Sequence, residues 1–342
     1  MTTFSTTDRG TFKTCREQWD HVSLSRQGLE RPLPAAALLL GSLVHYTQAD
    51  WLQDPKLNPT VRFMEHFEVA RQDIYERYAR KYNAPMDDDE FEDRYGEPVG
   101  ELGRQMIAAY EELYQHPVPS GFTLIAAEQT ATIEVPGTEH CTVPSHRWLP
   151  VNHFCAPNVR RKPCVVEHHK LEGTFDALIA DARGRIFIVD HKTYAKQPSQ
   201  TELALNDQFL AYTWLGRNLG FDVAGVFYNG LWKRTWDQLL DKSGKPRKSS
   251  RGDTYTREDL FFRTMIPHPP EEVDAFGARL ATELNEMGNN PAIYINRNWY
   301  SCPQCSIQDL CLAKTRGEEW EYLLDEFSHR EKTPAWRAGR GE

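Results

Sequence analysis

The chain has 342 residues, 40% hydrophobic and 26% charged, the balance of an ordinary globular protein and more than one small domain requires. Its net charge of −9 gives no bulk positive field of the kind that advertises nucleic-acid binding, although short basic stretches stand at 158–162, 232–236 and 242–251. No apolar run approaches the ~20 residues of a membrane span, and the first ten residues show no basic stretch leading into an apolar one, so a cytoplasmic protein without membrane contact is expected.

In chain order, the first third reads as mostly helical. Ser5 with Asp8 three positions on forms a variant capping box opening "TFKTCREQWDHVSL". "LLLGSLVHYTQADWL" predicts a second helix. After a break at 54–59, "VRFMEHFEVARQDIYERYARKY" and "ELGRQMIAAYEELYQH" (101–116) keep a helical period. The acidic run "DDDEFED" (87–93) suits a solvated helix face or a loop.

The pattern then changes. "GFTLIAAEQTATIEV" (121–135) alternates like a strand, and residues 136–170 show no period. "GTFDALIADARGRIFIVDHKT" holds two apolar runs around "DARGR", which is a hairpin signal. "ELALNDQFLAYTWLGRN" (202–218) is helical and "VAGVFYNGLWKRTW" (223–236) a strand. "EDLFFRTMI" (258–266) can pair back on that strand, and "PPEEVDAFGARLATELNEM" (269–287) opens with Pro and acids, as a helix should. A cysteine cluster follows, then an acidic helix and a polar tail, "KTPAWRAGRGE", expected to be disordered. There is no internal repeat. Strands interleaved with helices imply a mixed α/β core.

The hairpin carries the chemistry. Ile186 to Val189 form the apolar centre of a strand that ends in Asp190 and Lys192, two apart and therefore on one face. A loop of Asp181 to Arg185 pairs Ala180 with Ile186, and the same register sets Asp176 opposite Asp190, within roughly 5 Å at Cβ. Two carboxylates that close need a cation or a proton between them, and hard divalent cations are the usual answer. Such an ion can polarise a phosphoryl oxygen and lower the pKa of water, and the Lys192 ammonium can orient that water or steady phosphate charge. An Asp-x-Lys pair standing alone is also an ordinary surface ion pair.

The seven cysteines are unevenly placed. Cys302, Cys305 and Cys311 form a C-x2-C-x5-C pattern of soft ligands, whereas Cys15 stands alone near the N-terminus. With a fourth ligand, this spacing suits either a four-cysteine zinc site or a [4Fe–4S] cluster. Cys141, Cys155 and Cys164 lie with five histidines in 136–170, where a second site, for Zn2+, is conceivable on no established spacing.

"GTFDALIADARGRIFIVDHKT" resembles the Gly-x-x-Asp and Asp-x-Lys motifs of the PD-(D/E)XK nuclease superfamily, in its RecB-like branch. "QFLAY" resembles that branch's Gln-x-x-x-Tyr motif through Gln208 and Tyr212, which a spacing of four puts on one helix face. "GSLVHYTQADW" resembles its Gly-x-x-x-His motif through His45. The resemblance implies that His45, Asp176, Asp190 and the main-chain carbonyl of His191 hold Mg2+ or Mn2+, the imidazole favouring manganese. It implies that Lys192 serves the attacking water, with Gln208 and Tyr212 orienting Lys192 or the DNA backbone.

One cysteine ahead of the core and three after it resemble the arrangement in AddB and the CRISPR-associated RecB-like exonucleases. This implies a [4Fe–4S] cluster on Cys15, Cys302, Cys305 and Cys311 that clasps the two ends of the domain. The departure is residues 136–170, longer than the family's usual connection.

The expected fold is therefore α/β, with a PD-(D/E)XK (restriction-endonuclease-like) core whose central mixed sheet is flanked by helices. A helical region (1–120), the nuclease core (121–295), the cysteine cluster with a helix (296–325) and a tail (326–342) divide it. The expected activity is that of a Mg/Mn-dependent deoxyribonuclease, a single-stranded DNA exonuclease acting on free ends in recombination, repair, phage DNA metabolism or CRISPR adaptation. "WKRTW", with Trp232, Lys233 and Arg234, is a candidate DNA contact, because basic grooves and aromatic platforms grip single strands, though alternating Trp in a hairpin is also simply packed. The alternative is a non-catalytic DNA-binding or recombination accessory protein with a structural Fe–S or zinc site. The complete Asp/Asp/Lys set argues against it.

Overall fold

The computed structural model describes residues 2–136, 168–289 and 291–330. The segment with Cys141, Cys155 and Cys164, on which a second zinc site was conceivable, and the tail from 331 lie outside the described residues. The chain opens with a four-residue strand, β1 (Thr2–Ser5), and the capping box then starts α1 (Thr6–Thr14). Asp8 N–H donates to Ser5 Oγ at 2.9 Å, and Ser5 N–H donates back to Asp8 Oδ2 at 3.2 Å. The helix predicted as continuous breaks at Cys15, whose extended backbone separates α1 from α2 (Arg16–Val22) and sets the thiol at an elbow.

A short β2 (Leu29–Glu30) leads to α3 (Ala36–Gln53), α4 (Pro59–Tyr82), α5 (Asp88–Phe91) and α6 (Leu102–Tyr114). Next come β3 (Phe122–Glu134), β4 (His169–Asp181), β5 (Ile186–Tyr194), α7 (Gln200–Ala204), α8 (Asp207–Asn218), β6 (Val223–Trp232), β7 (Phe261–Pro267) and α9 (Pro270–Gly288). The segment 202–218, predicted as one helix, is two, because Asn206 caps α8 by accepting Gln208 N–H. After α10 (Gln308–Arg316), the acidic segment expected to be a helix forms only a 3₁₀ stretch at Glu321–Glu326, since Gly317 in the left-handed region ends α10. Part of the expected tail is ordered: β8 (Ser328–His329) pairs antiparallel with β2.

Six strands make a mixed sheet along the path β1-β4-β5-β6-β7, with β3 also on β4. β3 runs antiparallel along β4 from residue 170 to 181 and occupies one edge of it. The other edge is shared: β1 pairs parallel with residues 169–172, and β5 pairs antiparallel with 177–180. Between them, residues 173–176 have no ladder partner on that edge. The sheet therefore forks there.

Helices cover both faces. Phe209, Trp214 and Leu215 of α8 and Phe276, Leu280 and Leu284 of α9 bury Leu178, Ile188 and Val226 on one side. Leu52 of α3 packs with Ala177, Ile179, Phe187 and Val189 on the other. This is the mixed α/β sheet flanked by helices that the sequence pattern implies. No described helix is long and apolar enough to cross a membrane.

Candidate active site

The β4–β5 register pairs Ala180 with Ile186 and Ala177 with Val189, the last ladder pair before the fork. One step further, Asp176 stands level with Asp190. The register derived from the turn length holds because a hairpin loop fixes every later pair. Beyond the ladder, Asp176 Oδ2 accepts the His191 backbone N–H at 2.6 Å. Its Oδ1 lies 3.3 Å from His45 Nδ1. Lys192 Nζ donates to Asp190 Oδ1 at 2.8 Å.

Two small residues let the helices come this close. A Cβ on Gly41, one helical turn before His45, would meet Thr193 Oγ1 of β5 at 3.3 Å. A Cβ on Gly173 would sit 2.9 Å from Leu215 and 3.1 Å from the Tyr212 ring of α8. The glycines of the Gly-x-x-x-His and Gly-x-x-Asp patterns thus permit close approach of helix to sheet.

Asp190 is 2% exposed, and burial pushes its carboxyl up, with the Asp176 charge adding to that and Lys192 opposing it. Burial acts on Asp176 in the same sense, but His45, His191 and Lys192 together outweigh it and hold Asp176 well below the usual carboxylate range. For His45, burial pulls downward and Asp176 prevails, so its pKa is raised. Burial also works against the Lys192 ammonium, yet Asp190 and Asp176 raise its pKa above the ordinary lysine value. The His191 ring, pushed by burial down to about 3, is neutral. These shifts concentrate in one cleft, where Lys192 keeps 33% of its side chain exposed.

Gln208 Nε2 donates to Tyr212 Oη at 2.8 Å, so the Gln-x-x-x-Tyr pair is joined to itself. Burial followed by the Asp190 carboxylate pushes the Tyr212 phenol up to about 12, so it stays protonated. Its hydroxyl also meets the Thr6 side chain at the start of α1.

Behind the site lies a network that the motifs did not reveal. Asn229 Nδ2 donates to His191 Nδ1 at 2.6 Å and to Tyr110 Oη at 3.0 Å, and Arg263 Nε donates to Asn229 Oδ1 at 3.0 Å. The Arg263 guanidinium also meets Tyr110 Oη and lies over the Tyr114 ring at 3.5 Å. The signal was present: Asn229 is a polar residue inside the apolar strand "VFYNGLW", and buried polar groups need partners.

Among the described residues, no group of three or more His, Cys, Asp or Glu side chains is placed to hold a metal ion, neither around the acidic pair nor among Cys15, Cys302, Cys305 and Cys311. The acidic pair nevertheless offers the donors a hard cation takes. Asp190 Oδ2 is buried with no hydrogen-bond partner, an uncompensated acceptor beside the half-buried Lys192.

The chain ends also meet. Glu17 N–H donates to the Tyr294 carbonyl at 3.2 Å, Arg31 pairs with Asp309 and Glu326, and Leu29, Ile307, Leu310 and Phe327 share a small core. Cys15, Cys302, Cys305 and Cys311 are free thiols at this junction. Burial raises Cys305, with the charges of Cys15 and Cys302 adding to it. Cys311 is pushed to about 12 by burial and then by Cys305, Glu17 and Cys15.

Trp232, Lys233 and Arg234 are less free than a stacking platform would be. The Trp232 ring lies against Arg234 at 4.7 Å and Tyr255 at 6.0 Å, and Lys233 Nζ donates to the Ala37 carbonyl at 3.1 Å.

The family model of the PD-(D/E)XK nuclease superfamily matches residues 3–312. The chain belongs to that superfamily. Membership implies a metal-dependent nuclease, a hydrolase with DNA as substrate and divalent ions such as Mg2+ or Mn2+ as cofactors. No curated protein matches the sequence. The solved structure of the protein SSO0001 is similar at 16% identity over 66% of this chain and 80% of that one, with a TM-score of 0.30, too distant to bear on the site.

Proposed function

We propose that this chain is a RecB-like DNA nuclease that hydrolyses phosphodiester bonds from free ends of single strands, within DNA recombination, repair or CRISPR adaptation. The observation that carries the reading is the fork itself. Asp176 and Asp190 stand level on adjacent strands, Lys192 is bonded to Asp190, and one buried Asp190 oxygen is unpartnered.

A divalent cation held by His45, Asp176, Asp190 and the His191 carbonyl supplies Lewis-acid polarisation of the phosphate and eases deprotonation of the attacking water. The chain's own residues do the rest. Lys192, kept charged by its two acidic neighbours, orients the water and steadies the charge that grows on phosphate. Asp176 holds the His191 backbone in place through its N–H. Tyr212, its hydroxyl accepting from Gln208, orients Lys192 or the DNA backbone.

Four cysteines at the junction of the chain ends have the donor chemistry of a [4Fe–4S] cluster or a four-cysteine zinc site, and the family resemblance favours the cluster. In either case the group restrains a loop of nearly the whole chain. The preference for ends is tested with single-stranded DNA in linear and circular form, with Mn2+ and with EDTA. Rapid loss of the linear strand alone is expected, and equal cutting of the circle would replace the exonuclease reading with an endonuclease one.

A further inference from the structure

Between β6 and β7 the chain does not turn back directly. It leaves the sheet at Trp232, which is paired with Tyr194 of β5, two residues beyond Lys192 and about 7 Å along the strand. β5 and β6 are parallel, so this excursion starts from the same end of the sheet as Asp190 and Lys192. Its root is fixed. Trp232 Nε1 donates to the Ala195 carbonyl at 2.9 Å, Lys233 N–H donates to the Tyr194 carbonyl at 2.8 Å, and Leu239 and Leu260 are buried.

Beyond the root stand two small, ordered hairpins. Asp241 N–H bonds the Lys245 carbonyl and Gly244 N–H the Asp241 carbonyl, at 2.7 and 3.0 Å. Ser249 and Asp253, with Gly252, repeat the same two bonds at the same lengths. Gly244 and Gly252 have φ of 75° and 92°, which such turns require and other residues resist. Arg247 joins the two, its N–H donating to Leu239 and its carbonyl accepting from Tyr255.

Residues 241–248 are all exposed, so core packing does not explain this order. Charge distinguishes the arm. Residues 241–254 hold five cations, Lys242, Lys245, Arg247, Lys248 and Arg251, against two carboxylates, in a chain of net charge −9. Arg16, Arg31, Arg62 and Arg77 each meet a carboxylate. Among the described residues, none of the arm's five cations forms an ion pair with a carboxylate. Lys242 and Arg251 occupy the two turn tips. A preformed backbone presenting unneutralised cations, rooted at the end of the sheet that carries Asp190 and Lys192, is built for a run of phosphates.

We propose that residues 241–254 form a phosphate-tracking arm that holds the DNA strand running to or from the cleft. The inference rests on the nuclease reading above for its ligand, and its test is separable from that reading. In the full chain carrying Asp190→Asn to prevent cleavage, Lys242→Glu/Lys248→Glu/Arg251→Glu is compared with a matched variant, Lys56→Glu/Arg183→Glu/Arg316→Glu. Binding of a fluorescein-labelled 30-nucleotide single strand, and of its duplex, is followed by anisotropy from 50 to 300 mM KCl.

The arm variant is expected to keep the parent's melting temperature, to weaken binding at least tenfold at 100 mM, and to flatten the log–log salt slope for single strands by about 2, or about 0.7 per lost phosphate contact. The matched variant should leave the slope unchanged. Equal slopes and affinities in the arm variant and its parent would overturn the proposal, as would an identical loss in the matched variant. Should the native sequence bind DNA through the arm but never cut it, the nuclease reading falls and the arm stands.

Discussion

Asp176 Oδ2 accepts the backbone N–H of His191 at 2.6 Å, one step past the last pair of the β4–β5 ladder. A side chain has taken over where main-chain pairing stops. The carboxylate fastens the two branches of the fork and turns its other oxygen, Oδ1, to His45. The opposite edge of β4 is distorted at the same level. Ala127 pairs with Ala177 and Gln129 with Phe175, while Glu128 between them, level with Asp176, has φ of 50°. There the alternation of β4 also shifts: Phe175 and Leu178 face α8, whereas Ala177 and Ile179 face α3.

A left-handed backbone costs a non-glycine residue about 1–2 kcal/mol, so the strain at Glu128 predicts an inversion of the usual strand preference. Glu128→Gly should be more stable than Glu128→Ala by about 1 kcal/mol, although in a regular strand glycine is the weaker of the two. Urea unfolding of both variants measures this, and an Ala variant equal to or above the Gly variant would show that residue 128 is an ordinary strand position.

Asn229 makes three of its four possible side-chain hydrogen bonds, with His191, Tyr110 and Arg263, and it is fully buried. Asn229→Leu keeps the volume, leaves His191 Nδ1 without its partner and takes one bond each from Tyr110 and the charged Arg263. A loss of about 3–5 kcal/mol is expected in urea unfolding, in the range for breaking a buried charged network. A loss below about 1 kcal/mol would mean that the network is solvated or re-formed without Asn229.

How much of this was legible follows from the range of each signal. The hairpin register was readable because a short turn and a two-residue period fix it locally, and the Ser5 capping box and the Gln208–Tyr212 pair lie within four residues. β1 was missed because four residues carry no period. The fork and the Glu128 distortion depend on which strands share an edge of β4, and the Asn229 network on three elements distant in sequence. Cys15 was conspicuous by its isolation in the sequence, but the helix break that sets it at an elbow was not.

The cysteine junction makes a prediction about colour. Protein made anaerobically with iron supplied should be brown, absorb near about 400 nm and contain about four irons per chain, and Cys305→Ser should lose the absorbance and melt at lower temperature. A colourless protein with one zinc per chain would assign a four-cysteine zinc site instead. Neither metal in the purified protein would remove the metal from the clasp altogether.

The most direct measurement is cleavage of a 5′-labelled single strand by the native sequence, by Asp190→Asn and by Lys192→Met, each with Mn2+ and with EDTA. Cleavage should require the metal, and each substitution should reduce it by about 10²–10³-fold or more while leaving the metal-free melting temperature within a few degrees. Undiminished cleavage in EDTA, or equal rates in Asp190→Asn and the native sequence, would contradict a metal-dependent site at the fork.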